Sequence, residues 1–558
     1  MTTANWPTNM PHSLTYPPVG ADVLLASAAR DYPHRIALRD GDIELTFADL
    51  NDAARRVASG LRQRGVMEGD VVALHMPNSV WFLVAYYGAL CAGAAVAPVN
   101  PSQPLMALRR QLDDVRAVAV FSTRSGAAAV VEAEAASVRF VATIAPTAAA
   151  PADADPPAGT VPLEELMAAE PLTGYRVHPE AVAHLQPTGG TTGVSKSVRI
   201  LHRNLVANVL QVGCWRAGTL PVLDADELVA LESVPGSRNA HTILPGEGIV
   251  LSVAPLFHGL GLVSQNVSTL LGVTTTVLGR FDPSAMLARI EELGVTQISG
   301  SPAMYYALLR SPDLQLRDLS SVVLIGSGAA PLDGTALDEL RRAFPRAHVS
   351  EGYGLSEATM GLTSVPANAQ APVGTVGRPL FDTEIEIRGL DAGEVLKHGE
   401  TGEIWARGPQ ISAGYLDHPE LTAKQFIDGW LATGDIGKLD EAGYLSIVGR
   451  AKDMIIYKGY NVYPQPLEEL LCTHPDVAQA AVVGAPDAES GEFPIAFVQL
   501  KPDVTATPQF ANELIELVAS QVAPYQKVRA VHFVDALPIT PTGKVLKTEL
   551  RDRLARSL

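Results

Sequence analysis

The sequence is poor in cysteine, in charge and in basic residues near its start. Its 558 residues include only three cysteines, Cys91, Cys214 and Cys472, at wide spacings. This excludes a disulfide framework or a CxxC metal site and predicts a reducing, cytoplasmic location. The first basic residue is Arg30, so no secretory signal is predicted. Charged residues make up 18%, below the usual roughly 25%, whereas hydrophobic residues make up 47%, which excludes a disordered chain.

Positive charge is scarce along the whole chain. The chain has 42 Lys and Arg residues and 60 Asp and Glu residues, which gives a formal net charge of −18. A chain this acidic is repelled by nucleic acids and by anionic membrane surfaces, so neither is an expected partner. Anions can still bind in a local basic pocket or at a helix end.

A long uninterrupted apolar run is also lacking. Residues 80–99 carry no charge and are numerous enough to cross a bilayer, but Gly88, Gly93 and Pro98 interrupt them. A helix that ends near Gly93, followed by a buried strand, explains the segment better. We therefore expect no transmembrane segment.

Strand and helix patterns alternate through the first several hundred residues. Residues 46–65 predict a helix with a capping box at its start, residues 71–76 predict a strand, and residues 282–294 predict a helix capped at both ends. Apolar strands separated by helices indicate parallel sheets covered on both faces. The predicted fold class is α/β, with a large N-terminal domain of parallel-rich sheets and a small α+β C-terminal domain that begins near residue 450. Two surface loops are predicted, at residues 145–160 and 216–248.

The segment PTGGTTGVSK, residues 187–196, carries the sharpest chemical signal. It lies between a predicted strand, residues 181–185, and a predicted helix, residues 202–212. Glycines allow the backbone to wrap closely around an anion, and threonine hydroxyls add donors, which is typical of phosphate binding. It is not a Walker A loop, since Ser195 stands where that motif needs glycine. A flexible loop without a ligand is the alternative.

An ordered set of motifs follows that loop. The set consists of GYGLSEAT at residues 352–359, TGD at 433–435, GRAKDMIIYKGYNVYP at 449–464 and LPITPTGKVLK at 537–547. Together with the Gly/Thr loop it resembles the adenylate-forming superfamily of acyl- and aryl-CoA ligases, adenylation domains and luciferases. The resemblance covers nearly the whole chain, and the local sequence is most similar to that of bacterial long-chain fatty-acyl-CoA ligases.

The resemblance implies binding of ATP, Mg²⁺ and CoA. In such an enzyme Glu357 would bind Mg²⁺, Ser356 would contact the α-phosphate, and Lys544 would bridge the acyl oxygen and that phosphate. The residues implied in nucleotide and CoA binding are Thr188, Gly189, Gly190, Thr191, Thr192, Gly193, Lys196, Gly328, Ala329, Ala330, Gly352, Tyr353, Gly354, Asp435, Arg450, Lys458, Gly459 and Tyr460. Among these, Tyr353 would stack on adenine and Asp435 would accept the ribose hydroxyls.

The same resemblance implies an acyl pocket and a moving domain. The pocket residues would be His258, Gly259, Leu260, Ser264, Met304, Gly326, Ser327, Glu351 and Leu355. Residues 1–449 would form the N-terminal domain, residues 450–452 a hinge that turns at Lys452, and residues 453–558 the mobile C-terminal domain. His258 would border the reacting carboxylate, as a further catalytic residue.

The expected activity is that of a carboxylate–CoA ligase which forms acyl-AMP and then acyl-CoA. The sequence leaves fatty and aromatic acids open as substrates, and a monomer or a homodimer as the assembly. Two other classes stay open. One is an adenylating enzyme with a carrier protein or an amine as acceptor, or one that activates nitrite to diazotise an aryl amine; the other is a non-catalytic homologue. A lysine acetyltransferase that modifies Lys544 is a further expected partner, as in bacterial relatives.

Overall fold

The computed structural model describes residues 6–150, 154–188, 196–328, 332, 334–487, 489–502, 504–540 and 544–557. The helices of this described part are α1 (Asp22–Asp31), α2 (Phe47–Gln63), α3 (Val80–Cys91), α4 (Leu105–Asp114), α5 (Arg124–Glu132), α6 (Leu163–Met167), α7 (His202–Ala217), α8 (Gly259–Leu270), α9 (Pro283–Leu293), α10 (Pro302–Leu309), α11 (Gly334–Ala343), α12 (Pro419–Gln425), α13 (Pro464–Cys472), α14 (Pro508–Ala519) and α15 (Lys547–Ser557).

The strands are numbered in the same way along the chain. They are β1 (Ile36–Asp40), β2 (Ile43–Thr46), β3 (Val71–His75), β4 (Ala95–Val99), β5 (Ala117–Ser122), β6 (Phe140–Thr143), β7 (Val161–Pro162), β8 (Val182–Thr188), β9 (Lys196–Leu201), β10 (Thr219–Leu223), β11 (Val229–Ser233), β12 (Ile249–Ser252), β13 (Thr274–Val277), β14 (Gln297–Gly300), β15 (Leu324–Ser327), β16 (His348–Tyr353), β17 (Thr363–Ser364), β18 (Arg378–Pro379), β19 (Glu384–Arg388), β20 (Gly402–Arg407), β21 (Phe426–Ile427), β22 (Trp430–Leu439), β23 (Leu445–Arg450), β24 (Ile455–Tyr457), β25 (Tyr460–Val462), β26 (Val477–Asp487), β27 (Gly491–Leu500) and β28 (Ala530–Phe533).

Two large sheets form the first part of the molecule. One has the strand order β7-β6-β5-β3-β4-β8-β9, and the other β18-β17-β16-β15-β14-β12-β13-β1-β2. Their central strands run parallel, whereas β9, β2, β17 and β18 are antiparallel edge additions. One buried apolar cluster includes residues of α1, α2, α3, α7 and α8 and holds this part together. The predicted α/β fold with parallel-rich sheets is confirmed.

The local predictions for this part hold at the helix caps. The Thr46 side chain accepts from the Asp49 amide, and the Asp49 carboxylate accepts from the Thr46 amide, so α2 begins with the expected capping box. The α9 helix is capped by Asp282 and ends at Gly294, whose φ is +61°. The uncharged segment forms α3, almost wholly buried, and then the buried strand β4. Along the described chain, no helix is long and apolar enough to cross a membrane.

Two local predictions are wrong. The predicted loop 216–248 contains the antiparallel hairpin of β10 and β11. Strand β9 also lies between the Gly/Thr loop and α7, so the loop joins two strands of a hairpin instead of a strand and a helix. The second error has a physical cause: β9 contains Lys196, Ser197 and Arg199, so it lacks the apolar run on which the other strands were recognised.

The chain changes sheets near residue 450. Strand β23 pairs with β22 in a five-stranded sheet that also contains β19, β20 and β21. A single 3₁₀ turn, Ala451–Asp453, follows, and β24 then joins β25, β26, β27 and β28 in the last sheet. Helices α13 and α14 pack on this sheet around their own apolar cluster. The small C-terminal α+β unit is therefore present as predicted.

Candidate active site

A cavity of about 970 Å³ lies where the large sheets meet the C-terminal unit. Strands β14, β15 and β16 end at it, as the carboxyl ends of parallel strands commonly do at binding sites. The structure brings most of the residues predicted for the site to its wall. These are Thr188, Lys196, His258, Gly259, Leu260, Ser264, Gly326, Ser327, Gly328, Gly352, Tyr353, Gly354, Leu355, Ser356, Glu357, Asp435, Arg450, Lys452 and Lys544.

Tyr353, Asp435 and Arg450 form a linked group on one side of the cavity. The Tyr353 hydroxyl donates to Asp435 Oδ2 over 2.7 Å, and Arg450 Nε lies 3.1 Å from Asp435 Oδ1. Residues Asp435 and Arg450 face each other across the β22–β23 pair. Burial raises the pKa of the Tyr353 phenol, so it stays a donor to the carboxylate. The arrangement fixes one carboxylate between a hydroxyl and a cation at the wall of the cavity.

The segment from Gly352 to Thr359 contributes seven residues to the cavity wall in one tight turn. After β16 ends at Tyr353, a Cβ at Gly354 would lie 1.6 Å from the Met360 carbonyl oxygen, so only glycine fits there. A 3₁₀ turn, Ser356–Ala358, then points Ser356 and Glu357 at the cavity. Thr359 follows with φ at +64°, a left-handed conformation that a β-branched residue rarely adopts.

The Glu357 carboxylate is held by neighbours that the motifs did not indicate. Its Oε1 lies 2.7 Å from the hydroxyl of Tyr415, which in turn lies 2.6 Å from Gln425 Oε1. The Lys196 ammonium sits 5.3 Å from the centre of the Tyr415 ring. Among the described residues no cluster of three or more acidic, histidine or cysteine side chains could hold a metal ion alone. One carboxylate fits Mg²⁺ when phosphate oxygens and water complete the shell.

His258 lies at the start of α8 and is uncharged at neutral pH. Its Nδ1 accepts a hydrogen bond from the Leu260 amide over 3.3 Å, which leaves Nε2 to carry the proton of the neutral ring. Burial and, to a smaller extent, the nearby Lys544 charge together lower the pKa of His258 to about 4. A neutral ring can border a substrate carboxylate without forming an ion pair with it.

Lys544 reaches the same cavity from the C-terminal unit. The loop that carries it is closed by two hydrogen bonds, from the Thr540 amide to the Lys544 carbonyl and from the Lys544 amide to the Thr540 hydroxyl. The side chain is accessible through the cavity but is surrounded by protein. Desolvation therefore lowers the pKa of its ammonium, Arg450 lowers it further, and Asp435 and Glu357 oppose that effect. A cation is thus placed near both carboxylates and near His258.

Several residues predicted for the site lie elsewhere. Met304 packs in the apolar cluster of α9, α10 and α11, and the buried Glu351 carboxylate accepts from the Leu332 amide, so neither lines the cavity. Lys458, Gly459 and Tyr460 belong to the β24–β25 hairpin, where Tyr460 is exposed and stacks on Tyr525. Outside the described residues lie Gly189, Gly190, Thr191, Thr192, Gly193, Ala329 and Ala330.

Sequence reasoning missed Tyr415, Gln425 and Arg216 on the cavity wall. Tyr415 and Gln425 flank α12, between recognised motifs, and no short pattern surrounds them. Arg216 lies at the end of α7, in the segment interpreted as the start of a surface loop. The helical pattern that continues to Ala217 is the signal that could have placed it.

Comparison with known proteins agrees with the motifs. Residues 25–416 match the AMP-binding enzyme family and residues 466–544 match the AMP-binding enzyme C-terminal domain. The 4-coumarate–CoA ligase of Pinus taeda is 34% identical over 94% of this chain and 93% of its own length. The long-chain-fatty-acid–CoA ligase of Bacillus subtilis (strain 168) is 32% identical over 98% of this chain and 97% of its own.

Solved structures agree as well. ATP-bound MatB from Rhodopseudomonas palustris superimposes with a TM-score of 0.82 and 29% identity, over 96% of this chain and 99% of that one. The amide bond synthetase McbA from Marinactinospora thermotolerans gives 0.80 and 27%, over 96% and 99%. The match to both family domains and to an ATP-bound structure shows that this chain is an ATP-binding enzyme. The chain belongs to the adenylate-forming, AMP-binding enzyme superfamily, as a member of its AMP-forming acid–CoA ligase family.

Proposed function

We propose that this protein joins a carboxylic acid to CoA in two steps within the one cavity. In the first step a carboxylate oxygen attacks the α-phosphorus of ATP, the bond to pyrophosphate breaks, and acyl-AMP forms. In the second step the CoA thiol loses its proton, its sulfur attacks the acyl carbon, and AMP leaves. The observation that carries the proposal is the approach of Lys544 to Glu357, Asp435 and His258 in one cavity.

Positively charged groups lower the energy barrier of the first step. A carboxylate and a phosphate repel each other, so catalysis needs positive charge aimed at the oxygens where negative charge develops. Lys544 supplies that charge between the acyl oxygen and the α-phosphate, and Ser356 adds a hydroxyl donor. Glu357 would hold Mg²⁺, with the Tyr415 hydroxyl orienting its carboxylate. Bound there, the ion would neutralise phosphate charge.

The second step needs a different face of the C-terminal domain. Lys458, Gly459 and Tyr460 lie on an exposed hairpin away from the cavity. A rotation about Lys452 would withdraw Lys544 and bring this hairpin to the thiol entrance. Support comes from the change of sheet across the single turn Ala451–Asp453, which offers one place to pivot. Residues 1–449 and 453–558 are then the two bodies that move.

The loop of Lys544 also suits regulation. A loop that leaves the cavity during each cycle exposes its lysine to a lysine acetyltransferase. Acetylation removes the charge that the first step requires, and should stop adenylation without disturbing the fold.

A cytoplasmic location fits the cysteines, since Cys91 and Cys214 lie buried as thiols.

An amine acceptor is the second candidate. It is favoured by the likeness to the amide bond synthetase McbA, at 27% identity and a TM-score of 0.80. In that case acyl-AMP forms in the same way, but an amine nitrogen attacks the acyl carbon. In that reaction the hairpin that carries Lys458 would not contact a thiol.

One experiment separates these reactions. Pyrophosphate release is measured with fatty, aromatic and dicarboxylic acids, without acceptor, with CoA and with amines. A CoA ligase consumes ATP continuously only when CoA is present and yields a thioester. An amine-dependent turnover without thioester would select the second candidate, and the absence of acyl-AMP with every acid would overturn both.

A further inference from the structure

Arg216 places a positive charge at the acyl side of the cavity. It stands in the last turn of α7, which ends at Gly218. Its Nη2 lies 3.8 Å from the position that a Cβ on Gly326 would occupy, beside the ends of β14 and β15. The guanidinium thus lines the cavity together with Ser299 and Ser350.

This guanidinium is not neutralised from within the described protein. No carboxylate in the described ranges acts on it, and the Tyr305 phenol is the ionisable neighbour that does. Arg35 offers a contrast, since its half-buried guanidinium donates to the Gly272 and Gly248 carbonyls over 2.8 and 2.6 Å. Desolvation lowers the pKa of Arg216 to about 10, so it is still charged at neutral pH. Arg216 is half-buried, and a ligand that fills the cavity would remove its remaining water, which is costly unless the ligand supplies a partner.

A buried side-chain amide without a hydrogen-bond partner shares a small pocket with Arg216. A side pocket of about 30 Å³ branches off between β12 and α8 and is lined by Arg216, Gln297 and Ser299. Gln297 is 5% exposed, and its Nε2 has no hydrogen-bond partner. Buried polar atoms are rarely left unpaired in folded proteins. Two side-chain donors of one side pocket, from Arg216 and Gln297, indicate an acceptor on the ligand.

The subsite is separate from the nucleotide. Tyr353, Asp435 and Lys544 line the main cavity but not the side pocket, whereas Leu260 and Ser264 line both. A substrate whose reacting carboxylate meets Lys544 therefore extends past Leu260 toward Arg216.

We propose that Arg216, with Gln297, binds a second carboxylate at the far end of the acid, so the natural substrate is a dicarboxylic acid. This inference rests on the proposed function, because it assumes that the cavity holds an acid for adenylation. A carboxylate pairs with a guanidinium through two parallel hydrogen bonds, which neither a methyl nor an ester group can replace. Apolar monocarboxylic acids would leave the cation buried and unpaired.

The test compares dicarboxylic acids of increasing length, aliphatic and aromatic, each with its monomethyl ester. Pyrophosphate release gives kcat/KM for wild type, for Arg216→Met, which keeps the bulk without the charge, and for Arg216→Lys. Arg238→Met is the matched control, since Arg238 is exposed on the segment after the β10–β11 hairpin. Melting temperatures show that each variant is folded.

We expect wild type to prefer the best diacid over its ester by at least about tenfold. Arg216→Met should reverse this preference, Arg216→Lys should restore part of it, and Arg238→Met should change nothing. An equal rate for diacid and ester in wild type, unaltered by Arg216→Met, would overturn the subsite while adenylation itself stands. Failure to activate any acid would remove the proposed function and this inference with it.

Discussion

The two sides of the cavity are built in opposite ways. On the N-terminal side the polar groups are fixed by direct contacts, as with Tyr353 on Asp435 and Tyr415 on Glu357. On the C-terminal side Lys544 stands on a short loop that is closed by its own contacts with Thr540. The N-terminal side is therefore held by contacts between distant segments, whereas Lys544 depends on its own loop. In the proposed mechanism, this difference lets the lysine leave between the two reactions while the nucleotide side stays in place.

The largest expected effect comes from removing the delivered cation. Lys544→Ala should reduce acyl-AMP formation by about 10²–10³-fold, comparable to the loss of an oxyanion-hole donor. Thioester formation from supplied acyl-AMP should persist, because the second step does not use this lysine. Rapid-quench assays of each half-reaction measure the split, with Lys501→Ala, an exposed lysine of the same domain, as control. An equal loss in both steps would contradict the proposal that Lys544 acts only in acyl-AMP formation.

On the N-terminal side of the cavity, we expect a change in a backbone turn to reduce both stability and ATP binding. Gly354→Ala places a methyl group against the Met360 carbonyl and must displace Ser356 and Glu357. We expect a loss of about 2–4 kcal/mol in stability together with weaker ATP binding. Gly334→Ala is the control, because its Cβ would meet only Val373 at 3.5 Å. Calorimetric melting and ATP titration measure both effects, and a stable Gly354→Ala protein that binds ATP normally would show the turn to be adaptable.

The turn between the two sides offers a third test. Lys452→Pro fixes φ and removes an amide hydrogen within Ala451–Asp453. If the domain rotates there, the half-reactions should respond unequally, because one orientation is favoured over the other. Separate rates for acyl-AMP formation and thioester formation measure this response. Unchanged rates in both steps would remove Lys452 as the pivot.

Tyr415→Phe should have a moderate effect that is confined to the metal and ATP. It removes the hydroxyl beside Glu357 Oε1, a contact to a charged group worth about 1.5–3 kcal/mol. We expect roughly a tenfold rise in the Mg²⁺ concentration needed for pyrophosphate release, with the KM for the acid unchanged. Tyr444→Phe is the control, because the buried Tyr444 hydroxyl has no hydrogen-bond partner. An equal effect of the two variants would mean that Tyr415 only packs.

The motifs located the nucleotide side well because its residues are contiguous in sequence. Gly352–Thr359 and Thr433–Asp435 each reach the cavity as one turn or strand. The acyl side was read less well, since its wall comes from distant elements. Arg216 lies on α7, Ser299 on β14 and Ser350 on β16, and no spacing along the chain links them. Sheet membership was likewise missed for β9, because Lys196, Ser197 and Arg199 leave it without a continuous apolar run.

Glu351 provides the smallest effect and tests whether this buried carboxyl behind the cavity wall is structural. Burial raises its pKa from 4.5 to about 7, and the hydrogen bond from the Leu332 amide offsets only part of that rise. Between about pH 4.5 and pH 7 the folded protein therefore binds more protons than the unfolded chain, so stability should increase as pH falls through this window. Above pH 7 the ionised carboxylate carries the full cost, at most about 3 kcal/mol. Glu351→Gln keeps an acceptor for the Leu332 amide without the charge, so it should melt at a higher temperature than wild type near about pH 8 and converge with it near about pH 4.5. Glu441→Gln, at an exposed position, should leave the wild-type profile unchanged. A Glu351→Gln protein that is less stable than wild type at every pH would show that the ionised carboxylate stabilises the strand end.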